Sequence, residues 1–518
     1  MKLLDEAIEF TSQPGVGAPV WRGHAEDGIE LHAFAAAVRR ADGRMAAIWG
    51  EDRRPHGAGF RLHCVFGLNE GHAWVSLDLP AANPVYPDLA DVFSAANRMQ
   101  RATRDMVGIA TAGGDQRPWL RHGAWPADWY PLRHDAGPGE GFPNAPSDYD
   151  FVRVGGEGAH EIPVGPIHAG IIEPGHFRFS VIGEKVLRLE QRLGYQHKGV
   201  ERRFIGMDVA QGARLVGRIS GDSTCAYAWA YAVAVESAAG IEVPQRALAL
   251  RALMLERERI ANHLGDLGAL GNDAALAFGL TQFMRLKEDW LRMSDRLFGH
   301  RFMMDRIVPG GVTTDLDAAA LAEMVEQCDT IGRDVKELRA IYDEHPGLQD
   351  RFLTTGAIDA DLARELSLSG MGARATGMLL DGRAWRQGYE PPAPYKALGV
   401  RPITDDRGDV AARVAVRFGE IFESLRLLRA LAVGLPTGPV RVDCAPTAGS
   451  GLGVVEGWRG EVLVGVELGA DGRIARCHPH DPSWQAWPAL EHAVMKDIVP
   501  DFPLINKSFN LSYTGADL

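Results

Sequence analysis

Cysteine is scarce in this sequence. Five are spread over 518 residues, at positions 64, 225, 328, 444 and 477, and no two are spaced as a CxxC pair. An odd, scattered set argues against a disulfide framework and for a reducing compartment, the cytoplasm. Long apolar runs are missing too. The longest, Cys225 to Val235, has 11 residues, against the roughly 18 to 20 that cross a bilayer. It is alanine-rich and ends at Glu236, so it reads as a buried core helix. A secretory signal is also lacking, because Met1 to Glu6 carries charges where an apolar segment belongs. Basic residues are the minority: 55 Lys and Arg against 68 Asp and Glu give a net charge of −13. That balance argues against nucleic acid or an anionic membrane surface as the main partner.

What is present is ordinary for a globular protein: 46% hydrophobic and 24% charged residues, enough for a large core. At about 150 residues per domain, the length gives a prior of three to four domains. Residues 28–80 alternate apolar and polar positions between turn signals at Ala41-Asp42-Gly43 and Leu68-Asn69-Glu70-Gly71, which predicts a meander of strands. Residues 87–106 read as a helix. The stretch 134–146 holds three glycines and three prolines and is the best linker in the chain. After it come strands over 161–190 around Glu173-Pro174-Gly175, helical periodicity from about 207 to 430, and strands again in the last 80 residues, with a hairpin in 451–467.

Glu256, Arg259 and His263 lie three and four apart and share one face of a predicted helix. Arg285 and Glu288 make a similar pair one helix later. Buried, such charges must pair, either as an internal polar track for coupling or as plain structural ion pairs between helices. Gly449 to Gly453 lacks the spacing of a nucleotide loop and reads as a flexible strand turn. Cys477-His478-Pro479-His480-Asp481 reads as a solvated loop rather than a metal site. No Gly-x-Ser-x-Gly elbow is present. Spacing alone therefore yields a soluble two-domain protein without a demonstrable active site.

Specific strings say more. Val164-Gly165-Pro166-Ile167-His168, Glu173 to Arg178, Tyr195 to Glu201, Gly240 to Ala247, Pro309 to Val312 and Val455 to Glu461 occur in that order. Together they resemble the large subunit of membrane-bound, formate-hydrogenlyase-type nickel–iron hydrogenases, related to the 49-kDa subunit of complex I. Arg101, Asp105, Gly108-Ile109, Leu120-Arg121 and Pro131-Leu132-Arg133 fall on the motif of the complex I 30-kDa subunit, fused in front. The resemblance implies an α+β chain. Residues 1–133 form a small 30-kDa-like α/β domain, 134–155 a linker, and 156–518 a large, mainly helical domain with peripheral β-structure.

The departures decide the expected chemistry. The family holds nickel and iron with two CxxC pairs, since those metals need soft thiolates. The first pair aligns with Ser220 and Ser223, and the second falls at Ser512-Tyr513-Thr514-Gly515. Cys225 is off register by two positions. No nickel–iron centre is expected; Glu173, His176, Ser220, Ser223 and Ser512 are left as a remnant cavity, with no metal or cofactor bound by this chain. Glu173 stands near the family's proton-relay glutamate, with Pro174 interrupting the spacing. Glu201 matches a magnesium position of soluble relatives whose C-terminal histidine partner is missing here. Where complex I holds its quinone headgroup by a histidine and a tyrosine, the aligned residues are Pro174 and Gly221. A quinone in the vacated cavity would have His168, His176 and Ser220 to meet.

The resemblance thus implies an oxidoreductase-complex subunit on the cytoplasmic face of the inner membrane, peripheral and without a transmembrane segment. It would dock an iron–sulfur small subunit, whose clusters supply electrons, and complex-I-like membrane subunits. Glu256, Arg259, His263, Arg285 and Glu288 would couple the cavity to an ion-translocating arm. The rival readings are an NADH:quinone-oxidoreductase-type subunit with a rearranged quinone site, and a redox-inactive scaffold.

Overall fold

The computed structural model describes residues 4, 7–15, 17–123, 125–139, 142, 149–168 and 172–518. Residues 140, 141 and 143–146 of the linker expected at 134–146 lie outside the described residues. Among them, no helix is long and apolar enough to cross a membrane.

The N-terminal region builds a five-stranded sheet in the spatial order Thr11–Ser12, Val20–Ala25, His72–Leu79, Phe60–Gly67, Arg44–Asp52. The last three form the expected antiparallel meander, whereas Val20–Ala25 runs parallel to His72–Leu79. A parallel neighbour needs a crossover, and this corrects the reading of residues 28–40, which are a helix, Gly28–Arg40. The Asp27 carboxylate caps it, accepting from the Ile29 and Glu30 N–H groups at 2.8 and 2.9 Å. Leu31, Phe34, Ala35 and Val38 form its buried stripe at helical spacing. The helix expected over 87–106 starts only at Ala96 and ends at Val107; before it, Val85–Pro87 is a short strand.

The larger region begins with a three-stranded antiparallel sheet, Ala159–Val164, His176–Ile182 and Lys185–Arg192, as expected around the 173–175 turn. Its helical centre is a bundle of Gln245–Asp273, Ala277–Phe298, Ala318–Glu344 and Val410–Val433. The apolar run does form a core helix, Thr224–Ala239, buried on every side over its first 14 residues. Against it lies the sheet Gly449–Glu456, Glu461–Leu468 and Ile474–His480.

Two expectations fail in that sheet. Gly449 to Gly453 is regular strand rather than a flexible strand turn, although it opens the hairpin expected over 451–467, and Cys477 to His480 is a buried strand, not a solvated loop. Beyond it the chain ends in helices, Ser483–Ala493, Phe502–Phe509 and Tyr513–Asp517. These pack Trp487, Ile505 and Tyr513 into one hydrophobic cluster with Phe34, Phe66, Met99 and Trp119 of the N-terminal region.

Candidate functional site: a serine pocket wired to a buried ion-pair track

Ser220 and Ser223 flank the short turn that leads into the Thr224–Ala239 helix. Ser512 caps the last helix through its hydroxyl, which accepts the Gly515 N–H at 2.9 Å. The fold brings these two segments together: Ser220 Oγ and Ser512 Oγ are 3.0 Å apart. Between the serines stands Asp222, which accepts from Ser220 at 2.8 Å and Ser223 at 3.3 Å. Arg459 grips both Asp222 oxygens and also donates to Ser223 at 3.2 Å. Burial works against the Asp222 carboxylate, but Arg459 still holds it below its ordinary range. On the far side, Tyr227 donates to Asp481 at 2.8 Å. A side chain at Gly515 would place its Cβ 2.5 Å from that carboxylate.

Glu173 belongs to the same pocket. It accepts the Thr514 N–H at 3.2 Å, and burial raises it above the usual carboxylate range. Burial also pushes Asp517 up to about 7, although the Gly194 and Gln196 N–H groups bond it at 2.8 and 2.9 Å. His176 is not brought to the serines: its ring faces the Gly165 carbonyl at 3.2 Å and Arg178. His168 packs on Phe177 instead. The Cys225 thiol points to the Phe302 carbonyl at 3.8 Å.

Glu256, Arg259 and His263 do lie on one face of the long helix, all fully buried. Their partners come from elsewhere in the chain. Glu256 receives Arg383 at 2.9 Å, Tyr395 at 2.7 Å and Ser424 at 2.6 Å. Glu420 receives His263 at 2.8 Å, Arg259 at 3.3 Å and Arg374 at 2.7 Å. Arg374 reaches on to Glu456 at 2.7 Å. Against the cost of burial, these arginines hold Glu256 and Glu420 below the ordinary carboxylate range. Burial lowers His263.

The pocket and this track meet at one hairpin turn. Arg259 donates to the carbonyls of Glu456 and Gly457 at 2.7 and 3.0 Å. The next residues, Trp458 and Arg459, hold the Asp222 carbonyl (2.9 Å) and carboxylate. Arg285 and Glu288 stand apart from this. Both lie on the exposed side of their helix, Arg285 paired with Asp334 at 3.0 Å and Glu288 with Arg301 at 2.6 Å. Their spacing matches the track's, but their face is solvated.

Residues 27–141 match the family of the respiratory-chain NADH dehydrogenase 30 Kd subunit, and residues 266–448 that of the 49 Kd subunit. Hydrogenase-4 component G of Escherichia coli is 30% identical over 92% of this chain and 84% of its own length. Formate hydrogenlyase subunit 5 of the same organism is 29% identical over 92% and 85%. The chain belongs to this family of fused 30-kDa and 49-kDa hydrogenase large subunits. Its fold is shared with a chain of an archaeal membrane-bound sulfane sulfur reductase, at a TM-score of 0.65 and 24% identity over 70% of this chain and 99% of that one.

The residues expected at the four thiolate positions are gathered in this pocket by the fold, Ser220 against Ser512 and Ser223 on Arg459. Three are hydroxyl residues and the fourth is Gly515. Glu201, expected at a magnesium position, is closed by the chain itself: it takes the Arg476 guanidinium at 2.6 Å and the His478 ring at 2.7 Å, and in spite of burial these neighbours, Arg476 first, hold it down to about 2. Sequence reasoning missed Asp222 as the centre of the pocket, although it sits inside the Ser-Gly-Asp-Ser string. It also missed Arg374, Arg383 and Glu420, which no local pattern links to the long helix.

Proposed function

We propose that this chain is a large subunit of a hydrogenase-related, complex-I-like membrane oxidoreductase that has no nickel–iron centre of its own. The supporting observation is the donor set of the pocket. Hydroxyls and carboxylates are hard, weak ligands for nickel and low-spin iron. The guanidinium of Arg459 already supplies the positive charge that Asp222 faces. A cysteine at position 515 would collide with Asp481. The residues present do not fit the family's cluster.

In this reading the subunit docks an iron–sulfur small subunit and membrane subunits on the cytoplasmic face. The pocket keeps two carboxyls that burial shifts towards the neutral form, Glu173 and Asp517, beside fixed ions. The track held at Glu256 and Glu420 answers a charge change in the pocket by exchanging ion-pair partners, because its carboxylates are too strongly paired to titrate near neutrality.

The test is metal analysis of the purified complex together with hydrogen uptake. The expected result is nickel far below one per chain and no hydrogen turnover assigned to this subunit; stoichiometric nickel overturns the reading. Quinone turnover that is abolished by Ser220→Ala would instead favour the quinone-reducing alternative.

A further inference from the structure

A cavity of about 400 Å³ opens at the seam between the N-terminal region and the larger one, remote from the serine pocket in its lining residues. It is cationic in an acidic protein. Arg98, Arg101, Arg117 and Arg188 line it against Asp115, Glu190 and Glu491, in a chain of net charge −13.

The carboxylates are spoken for. Glu491 takes Arg98 at 2.6 Å and the Gln191 N–H at 2.7 Å. Asp115 takes Arg117 at 2.7 Å and Arg101 at 3.2 Å. Glu190 takes Arg117 at 2.7 Å and the Val152 N–H at 2.8 Å. Arg188 meets no carboxylate and donates no side-chain hydrogen bond among the described residues, and its Nε is buried without an acceptor. Two more buried donors of lining residues are orphaned, Arg98 Nη1 and the indole N–H of Trp119. Trp119 is only 2% exposed, and Arg98 lies over its ring at 4.8 Å.

Buried donors in native proteins are almost always satisfied, and a group of them around one cavity marks an absent acceptor. An anionic acceptor fits, because Arg188 is a whole charge without a counter-ion among the described residues. It must also offer several oxygens, since the unpartnered donors belong to three lining residues drawn from both regions, Arg188, Arg98 and Trp119. A planar carboxylate is saturated by one guanidinium fork, while a tetrahedral phosphate reaches several.

We propose that this seam cavity is a binding site for a phosphate group, with Arg188 as its principal cation and Arg98 and Trp119 as further donors. The cavity volume suits a small phosphorylated molecule. Occupancy would tie the two regions together, because the ligand bridges side chains from both.

The probe is inorganic phosphate, titrated into the full chain at constant ionic strength and followed by calorimetry and thermal denaturation. Arg188→Gln is the informative variant, since Arg188 makes no side-chain hydrogen bond or ion pair among the described residues and its loss is expected to leave the fold intact. The expected result is saturable phosphate binding that raises the melting temperature of the parent. In R188Q the affinity should drop roughly tenfold or more, as expected for losing a charge-assisted contact, with an unchanged melting temperature when phosphate is absent. Vesicles of phosphatidylglycerol form a second arm. Cosedimentation that R188Q abolishes assigns the phosphate to a lipid headgroup, and free-phosphate binding without it assigns a soluble ligand. Absence of both, or binding that R188Q leaves unchanged, or a shift that chloride reproduces, overturns the proposal.

Discussion

A carboxylate with no exposed surface survives as an ion only while every charge around it is in place. Glu256 has Arg383, Arg259, Tyr395 and Ser424 around it and no solvent. Removing it leaves Arg383 sharing Asp381 alone and Arg259 leaning on Glu420 alone. Breaking a buried pair from one side costs roughly 3 to 5 kcal/mol. Glu256→Ala is therefore expected to lose about that much in urea denaturation, or to fail to assemble. Glu256→Gln keeps the shape and the Tyr395 and Ser424 contacts, and should fold. If E256Q then assembles like the parent and the assembled complex turns over unchanged, the track is structural only. A different behaviour is expected of Glu467, which takes no hydrogen bond from the described residues. Burial and the nearby Glu51 carboxylate push it up to about 8, with Arg22, Arg61 and Arg53 opposing and His63 beside Glu51. Because its folded value lies above its unfolded one, its ionisation costs nothing below about pH 4.5 and progressively more as pH rises towards 8. Glu467→Gln should match the parent in stability near pH 4.5 and exceed it at pH 8, by at most a few kcal/mol at about 1.4 per pH unit. A parallel pair of stability–pH curves would sink this assignment.

Among the elements, burial rather than spacing separated the readings that hold from those that fail. The Glu256 face and the Arg285/Glu288 face have the same local pattern, yet one faces Val410–Val433 and the other faces water. A single sequence names a face but not what covers it. Residues 28–40 also carry a helical stripe, and the decisive sign was the Asp27 cap rather than the alternation. The glycines at 449, 451 and 453 were read as flexibility, whereas they face the backbone of the alanine helix. A Cβ at Gly451 or Gly453 would stand 1.8 Å from the Ala234 or Ala230 carbonyl. Alternate glycines on one strand face and alanines on the helix let the two backbones approach, which is a packing reason for glycine within a strand. The buried histidines of Ile474–His480 were misread for a related cause. His478 is shielded by the N-terminal sheet, more than 400 residues away in sequence, stacking on Trp49 at 4.8 Å, while His480 stacks on Trp484 just beyond the strand at 5.8 Å.

At the scale of the whole molecule, the serine pocket was legible because its two halves sit in family strings whose order is unmistakable, while the seam cavity has no string at all. The seam itself is tightly built. Trp49, 3% exposed, is stacked between His63 of its own sheet at 4.9 Å and His478 of the larger region at 4.8 Å. Gly465 lies directly beneath it, where a Cβ would come within 2.8 Å of the indole. Arg476 donates to the Gly50 carbonyl at 3.0 Å and Gln485 to that of Ala46 at 2.7 Å, so both ends of the same strand are bonded across the seam. Two regions that share a core and a hydrogen-bonded boundary cannot unfold one at a time without exposing that boundary, so a single cooperative transition is expected. Trp49→Ala should lower that one transition by about 3 to 5 kcal/mol, the usual cost of emptying a large aromatic site. It should do so equally for probes in either region. Calorimetry of the full chain, with near-ultraviolet dichroism alongside, reads this directly. Two resolved transitions in the parent, or a W49A effect confined to one of them, would show that the fused modules remain independent folding units despite the shared core.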